Sequence, residues 1–132
     1  MSDTDKTLFL LDGMALAYRA HFGMIRSPRM TSTGLNASVV FILTNTILGI
    51  LSKSKPSHLA VVFDTPEPTH RHKRYTEYKA QRDAMPEDLS EALPYVFRLF
   101  EGFNIPVLRV PGWEADDVIG TLATTAEEEG FI

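Results

Sequence analysis

The chain has no cysteine, so disulfides, thiolate zinc sites and thiol catalysis are all excluded. It also lacks any run of roughly eighteen apolar residues, the length that a membrane-spanning helix requires. The start of the chain is polar and acidic, and the apolar stretch that follows is too short for a secretion signal. The 132 residues have the composition of one ordinary globular domain, and a cytoplasmic location is the default expectation.

Acidic side chains stand directly after two predicted buried strands and inside one short motif. Asp12 follows the apolar run 8–11, and Asp64 follows the apolar run 59–63. The motif Trp-Glu-Ala-Asp-Asp at 113–117 adds three carboxylates. In an open parallel sheet, ligands bind beyond the carboxyl ends of the strands, so we expect these groups to converge there. The five candidate metal ligands are Asp12, Asp64, Glu114, Asp116 and Asp117.

Five converging carboxylates repel one another, and a bound divalent cation removes that repulsion. Carboxylate oxygens are the ligands that Mg²⁺ and Mn²⁺ prefer. The pattern therefore predicts a metal-dependent phosphoester hydrolase. Simpler roles are open for three of these acids. Asp12 could be a turn residue before Gly13. Asp116 and Asp117 could serve only to favour the first turn of a helix.

Acidic residues outnumber basic ones, which gives a net charge of −4, but the basic residues are concentrated in one segment. A solvated charged face is the commonest meaning of such a run. An acidic cleft beside a basic strip is instead the arrangement expected of a protein that holds a polyphosphate backbone. We favour the second interpretation because the acidic cluster accompanies it. The cations of the segment are Arg71, Lys73, Arg74, Lys79 and Arg82.

Hydrophobic patterning predicts an α/β domain with a right-handed, doubly wound, mainly parallel sheet and helices on both faces. The helix at 36–53 is apolar nearly all round, which predicts deep burial. Residues 65–86 have little apolar content, so we expect a flexible basic arch in the absence of ligand. Strands are predicted at 8–11, 59–63 and 105–110, and the remaining helices at 14–20, 87–102 and 114–129, with the chain stopping where a fourth strand would begin.

Four motifs occur in order along the chain: Leu10–Gly13 with Tyr18–Ala20, Val61–Asp64, Glu77–Arg82 and Glu114–Gly120. Together they resemble the N-terminal 5′ nuclease domain of bacterial DNA polymerase I, a PIN-like family related to phage exonucleases and flap endonucleases. The resemblance implies a 5′–3′ exonuclease or flap endonuclease that acts on DNA in replication and repair. It also implies a two-metal reaction with Mg²⁺ or Mn²⁺.

The resemblance also implies roles for individual residues. The five carboxylates match metal ligands of the family. Lys79 and Arg82 match catalytic cations of an arch near the scissile phosphate, and Arg19 and Arg71 match positions that contact the substrate strand. Lys73, Arg74 and Tyr78 of the same basic segment are assigned to nucleic-acid binding with them.

The family continues with a further strand that bears more acidic residues and with an element that grips duplex DNA, and neither occurs in this chain. Residues 1–132 are therefore expected to be the N-terminal part of the domain, with an incomplete two-metal site and weak activity alone. In the strand order that the resemblance implies, the first strand lies between the second strand and the missing one, so it would present an exposed edge for self-association. Two alternatives stay open: a PIN-type ribonuclease, and a nucleic-acid-binding module that lacks catalysis.

Overall fold

A computed structural model describes residues 6–65 and 85–132. Of the predicted arch at 65–86, only residues 65, 85 and 86 are among them. Within the described residues, strands and helices follow one another in the predicted order. The strands are β1 (Leu8–Asp12), β2 (His58–Phe63) and β3 (Val107–Arg109). The helices are α1 (Gly13–Gly23), α2 (Ser38–Gly49), α3 (Glu87–Gly102) and α4 (Ala115–Glu128), and α2 continues into a π-helical turn at Ile50–Ser54.

The three strands form one parallel sheet in the order β1-β2-β3. Leu8 lies opposite His58, and Val61 lies opposite Val107. The first two strands have nearly the predicted bounds, and the third is shorter than the 105–110 expected from the sequence. The mainly parallel sheet predicted from the sequence is therefore confirmed in the described residues.

The edge of β1 that faces away from β2 receives the last two residues of the chain. The backbone N–H of Ile132 donates to the carbonyl of Lys6 at 2.7 Å, and that of Leu8 donates to the carbonyl of Ile132 at 3.0 Å. Phe131 forms a parallel bridge with Lys6. These residues thus occupy the side of β1 where the family resemblance implies a further strand.

Helices cover both faces of the sheet, as the doubly wound fold predicts. The central strand β2 is the most buried, since Val61, Val62 and Phe63 are almost wholly inaccessible. Val61 and Phe63 pack in one core with α1, α2 and α3. Because side chains alternate along a strand, Val62 points to the other face, where α4 packs against β1 and β2.

The predicted deep burial of the second helix is wrong. Only one stripe of α2 is buried, formed by Val39, Leu43 and Ile47, because the helix packs against α1 and α3 on one side. The opposite side is at the surface, with Phe41 44% and Leu48 49% exposed. The α-helical part, Ser38–Gly49, is shorter than the predicted 36–53, and the π-helical turn carries the helical run on to Ser54.

The end of α4 agrees with the sequence analysis. Gly130, predicted to follow the helix, has a φ of 89°, the left-handed conformation that favours glycine. Four apolar side chains of α4 are only half-buried, namely Val118, Ile119, Leu122 and Ala126. In the described residues, none of the helices combines the length and the hydrophobicity needed to cross a membrane.

Candidate active site

Four of the five predicted carboxylates line one open cleft of about 740 Å³ at the carboxyl ends of β1 and β2. They come from three places in the chain: the end of β1, the end of β2 and the start of α4. The parallel sheet brings them together, because it places the ends of its strands at one edge. The acidic residues of this cleft are Asp12, Asp64, Glu114 and Asp116.

Asp12 is both the last residue of β1 and the N-cap of α1. Its Oδ1 accepts a hydrogen bond from the backbone N–H of Ala15 at 3.1 Å. Gly13 follows because a Cβ at this position would overlap the buried ring of Phe63. Asp12 therefore caps the start of α1 and also places its carboxylate at the cleft, while Gly13 lets the helix begin next to Phe63.

Asp64 connects the end of β2 to the start of α4. Its Oδ1 accepts a hydrogen bond from the backbone N–H of Ala115 at 2.7 Å, across 51 positions of the sequence. The first N–H groups of a helix have no partner within the helix, so a carboxylate there satisfies a donor and interacts favourably with the helix dipole. This bond fixes the acidic start of α4 beside the strand ends.

The start of α4 separates its acidic residues into different environments. Glu114, 7% exposed, is the N-cap and forms a capping box with Asp117, whose carboxylate accepts from the Glu114 backbone N–H at 3.3 Å. Asp116 is exposed and lines the cleft. Asp117 instead lines a separate groove of about 410 Å³ with Trp113. Of the five predicted ligands, Asp117 is therefore the one that the structure places outside the cleft.

The four carboxylates line the same cleft, but they are not close enough together to coordinate one metal ion. Among residues 6–65 and 85–132, no three Asp, Glu or His side chains are arranged closely enough to hold a metal ion. Their chemistry fits a hard divalent cation, since all four offer only carboxylate oxygens. Their role as metal ligands stays a prediction that the structure supports by location.

Two polar residues of the cleft that stand at strand ends, Thr65 and Arg109, were not predicted, and Ser90 of α3 lines the cleft as well. Thr65 lies directly after Asp64, and its Oγ1 is buried without a hydrogen-bond partner among the described residues. Arg109 is the last residue of β3, and its guanidinium lies 4.8 Å from the centre of the Phe97 ring. Thr65 could have been found by the rule that identified Asp12 and Asp64, because it follows the end of a strand. Arg109 could not, because the third strand was predicted to continue to residue 110.

The predicted basic residues are only partly within the described chain. Arg19 is exposed on α1 and does not line the cleft, although its neighbour Tyr18 does. The remaining predicted cations and the tyrosine of the arch, Arg71, Lys73, Arg74, Tyr78, Lys79 and Arg82, lie outside the described residues.

A parallel α/β sheet with carboxylates at the ends of two adjacent strands is the architecture expected from the motifs. The family model of the 5′-3′ exonuclease N-terminal resolvase-like domain matches residues 7–132, so the chain belongs to this family. The resemblance to the DNA polymerase I 5′ nuclease domain is thereby confirmed.

Relatives support the same assignment. The chain is 38% identical over 134 residues to DNA polymerase I of Synechocystis, an alignment that covers 99% of this chain and 14% of the polymerase. It is 37% identical over 126 residues to the 5′-3′ exonuclease of Aquifex aeolicus, covering 96% of this chain and 43% of that protein. The chain thus spans less than half the length of either relative.

Solved structures show the same fold. The T5 D15 protein co-crystallised with metal ions matches with a TM-score of 0.68 and 22% identity, over 90% of this chain and 44% of that one. The T5 5′-exonuclease with bound zinc matches with a TM-score of 0.59 and 19% identity, over the same shares of the two chains. At these identities the comparison establishes the fold alone.

Proposed function

We propose that this chain carries the N-terminal part of a metal-dependent 5′–3′ exonuclease or flap endonuclease that acts on DNA. The observation that carries the proposal is the convergence of Asp12, Asp64, Glu114 and Asp116 on one cleft. Membership of the 5′-3′ exonuclease family gives the reaction class that these carboxylates would serve. We also propose that the substrates are DNA 5′ ends and flaps. The chain would belong to a DNA polymerase I located in the cytoplasm.

Asp12, Asp64, Glu114 and Asp116 would hold the cation in this proposal, with Mg²⁺ or Mn²⁺ suited to their oxygen donors. When bound, the metal supplies an activated water and charge stabilisation at the leaving oxygen. Asp64 and Glu114 are held by backbone contacts at the start of α4, which keeps their carboxylates at the strand ends. Asp117 acts on the site through its hydrogen bond to Glu114.

The cations of the basic segment complete the proposal. Lys79 and Arg82 would stabilise the charge that develops on the scissile phosphate, as their match to the family implies. Arg71, Lys73, Arg74 and Tyr78, together with Arg19 on α1, would bind the substrate strand. Positive side chains are needed there because a polyanion must approach a cleft that carries four carboxylates.

Metal binding can be tested by thermal unfolding during a Mg²⁺ or Mn²⁺ titration. A ligand that binds only the native state at about ten times its Kd adds about 1.4 kcal/mol to the free energy of unfolding. Asp116→Asn should remove most of this gain, because Asp116 lines the cleft and is exposed. Glu128→Gln, the same change of charge at the far end of α4, should retain it. An identical response of all three proteins would contradict the proposed site.

Nuclease activity is tested by incubating the chain with Mg²⁺ and either a 5′-flapped DNA duplex or a single-stranded RNA. Cleavage of the flap that Asp116→Asn abolishes would support the proposal. Preferential cleavage of RNA would favour the PIN-type ribonuclease. Metal-independent DNA binding without turnover would favour the binding module.

A further inference from the structure

We propose that Arg109 contacts a phosphate of the nucleic-acid substrate beside the carboxylate cluster. The inference rests on the proposed function and adds a substrate-binding residue to the same cleft. Arg109 is carried by the third strand, outside the predicted basic segment. Three observations point to this role: the position of Arg109 at the cleft, the contact of its guanidinium with Phe97, and the negative charge around it.

The register of the sheet places Arg109 next to the acidic residues. Arg109 is the last residue of β3 and lies opposite Phe63, the residue before Asp64. Neighbouring strands are about 4.8 Å apart, so these two strand ends open onto the same space. The side chain of Arg109 accordingly lines the cleft with Asp64 and Asp116.

The aromatic ring of Phe97 restrains the guanidinium of Arg109. The distance from the guanidinium carbon to the ring centre is 4.8 Å, within the range of a cation–π interaction. Phe97 in turn packs edge-to-face on Phe63, with ring centres 4.8 Å apart. Because Phe63 is 1% exposed, the ring under Arg109 rests on the core. Contact with a ring uses one face of the guanidinium and leaves its in-plane N–H groups available to a ligand.

The charge of the cleft explains why a cation at this position matters. Among the described residues that line it, four are carboxylates and Arg109 is the one lysine or arginine. A phosphate that approaches the carboxylates is repelled unless positive charge is near. Guanidinium also fits the geometry of a phosphate, since it can donate two parallel hydrogen bonds. Arg109 is exposed, so its donors are accessible from the open side of the cleft.

The salt dependence of DNA binding tests this role directly. Binding of the complete chain to a fluorescent 5′-flapped DNA duplex is measured by anisotropy over a range of KCl concentrations, with Ca²⁺ in place of Mg²⁺ to slow turnover. The slope of log K against log salt is negative, and loss of one phosphate contact reduces its magnitude by about 0.7–0.9. We expect this change for Arg109→Ala, with affinity reduced roughly tenfold at low salt.

Two variants separate phosphate contact from a loss of packing or of overall charge. Arg109→Lys keeps the charge but not the paired donors, so it should bind more weakly than the wild type with an unchanged slope. Arg98→Ala removes the same charge from an exposed position on α3 outside the cleft, and it should leave the slope unchanged. Arg109→Gln gives the same information as Arg109→Ala if the alanine variant unfolds.

The outcomes distinguish this inference from the function on which it rests. An unchanged slope for Arg109→Ala, with normal DNA binding and cleavage by the wild type, would overturn the role of Arg109 alone. An equal loss of slope in Arg109→Lys would show that the contact with Phe97 supports the fold rather than the substrate. A wild-type chain that binds no DNA would overturn both proposals.

Discussion

Gly13 is needed at its position because the ring of Phe63 occupies the space of a side chain there. We expect Gly13→Ala to lower the free energy of unfolding by about 1–3 kcal/mol, since Phe63 is buried against Phe97 and Phe100 and cannot move freely. Thermal or chemical denaturation measures the effect. Gly49→Ala is the control: a Cβ there meets no atom within 4 Å and φ is −63°, so alanine should be neutral or stabilising.

The hydroxyl of Thr65 is buried without a hydrogen-bond partner among the described residues. Replacing such a group by an apolar group of the same shape removes the cost of its desolvation. Thr65→Val should therefore keep or raise the melting temperature, whereas Thr65→Ala, which also removes a methyl group, should lower it. A clear loss of stability in Thr65→Val would mean that the hydroxyl has a partner in solution.

Residue by residue, the sequence predicts where carboxylates stand but not how they point. Asp12 and Asp64 could be found because each is the first polar residue after an apolar strand, and parallel strands end at one edge. The position of the Asp117 carboxylate outside the cleft could not be predicted in this way, because the direction of its side chain depends on the exact residue at which α4 starts. Each helical residue turns by about 100°, so adjacent Asp116 and Asp117 face different cavities. Arg109 was missed because it was assigned to the interior of a longer strand.

At the scale of elements, the bond between Asp64 and Ala115 gives one carboxylate a structural role as well as its proposed chemical one. Asp64→Ala should destabilise the chain by roughly 1–2 kcal/mol, because a helix-terminal N–H loses its acceptor. Asp64→Asn keeps an oxygen at this position and should cost less. Both variants should lose the stabilisation by Mg²⁺ if Asp64 is a ligand. Urea denaturation with and without the cation measures the two effects separately.

The one-sided burial of α2 can be tested with two leucines of the same helix. Leu43 is 1% exposed and Leu48 is 49% exposed. Leu43→Ala should lower the free energy of unfolding by about 2–5 kcal/mol, the usual range for a buried leucine. Leu48→Ala should change it by less than about 1 kcal/mol, because its side chain already contacts water. Equal large losses would show that the outer side of α2 is buried in solution.

The error about α2 has a physical cause. High apolar content on every side of a helix predicts burial only when there are enough neighbouring elements to cover it. Within the described chain, α2 contacts α1 and α3 on one side. A sequence shows which residues are apolar, but the number of elements packed around a helix is a property of the assembled fold.

At the scale of the whole molecule, element order was predictable because apolar strands, helix starts and glycine stops alternate clearly. Sheet order followed from the family resemblance rather than from the pattern, and the observed β1-β2-β3 arrangement agrees with the expectation that β1 and β2 are neighbours. The edge contact of Ile132 with Lys6 and Leu8 depends on distant parts of the chain, so local patterns do not predict it in detail.

The outer edge of β1 gives a prediction for the whole chain. In the described structure, Ile132 satisfies the outward N–H of Leu8, and by alternation the N–H of Leu10 points the same way. A strand edge with free backbone groups can pair with another chain. We expect the 132-residue chain to self-associate with rising concentration in sedimentation velocity experiments. Leu10→Pro, which removes an outward donor, should reduce the association. A monomer at every concentration would contradict this prediction.

The contact between residues 6 and 132 also bears on how the molecule folds. Every strand pair in the described sheet is parallel, so partners such as Leu8 and His58 are 50 positions apart. Such non-local pairing slows folding toward the millisecond-to-second range. During synthesis, β1 cannot gain this outer neighbour until residues 131 and 132 have left the ribosome. The outer edge of β1 therefore stays unpaired until more than a hundred further residues have been made, and an unpaired edge of this kind favours aggregation of a nascent chain.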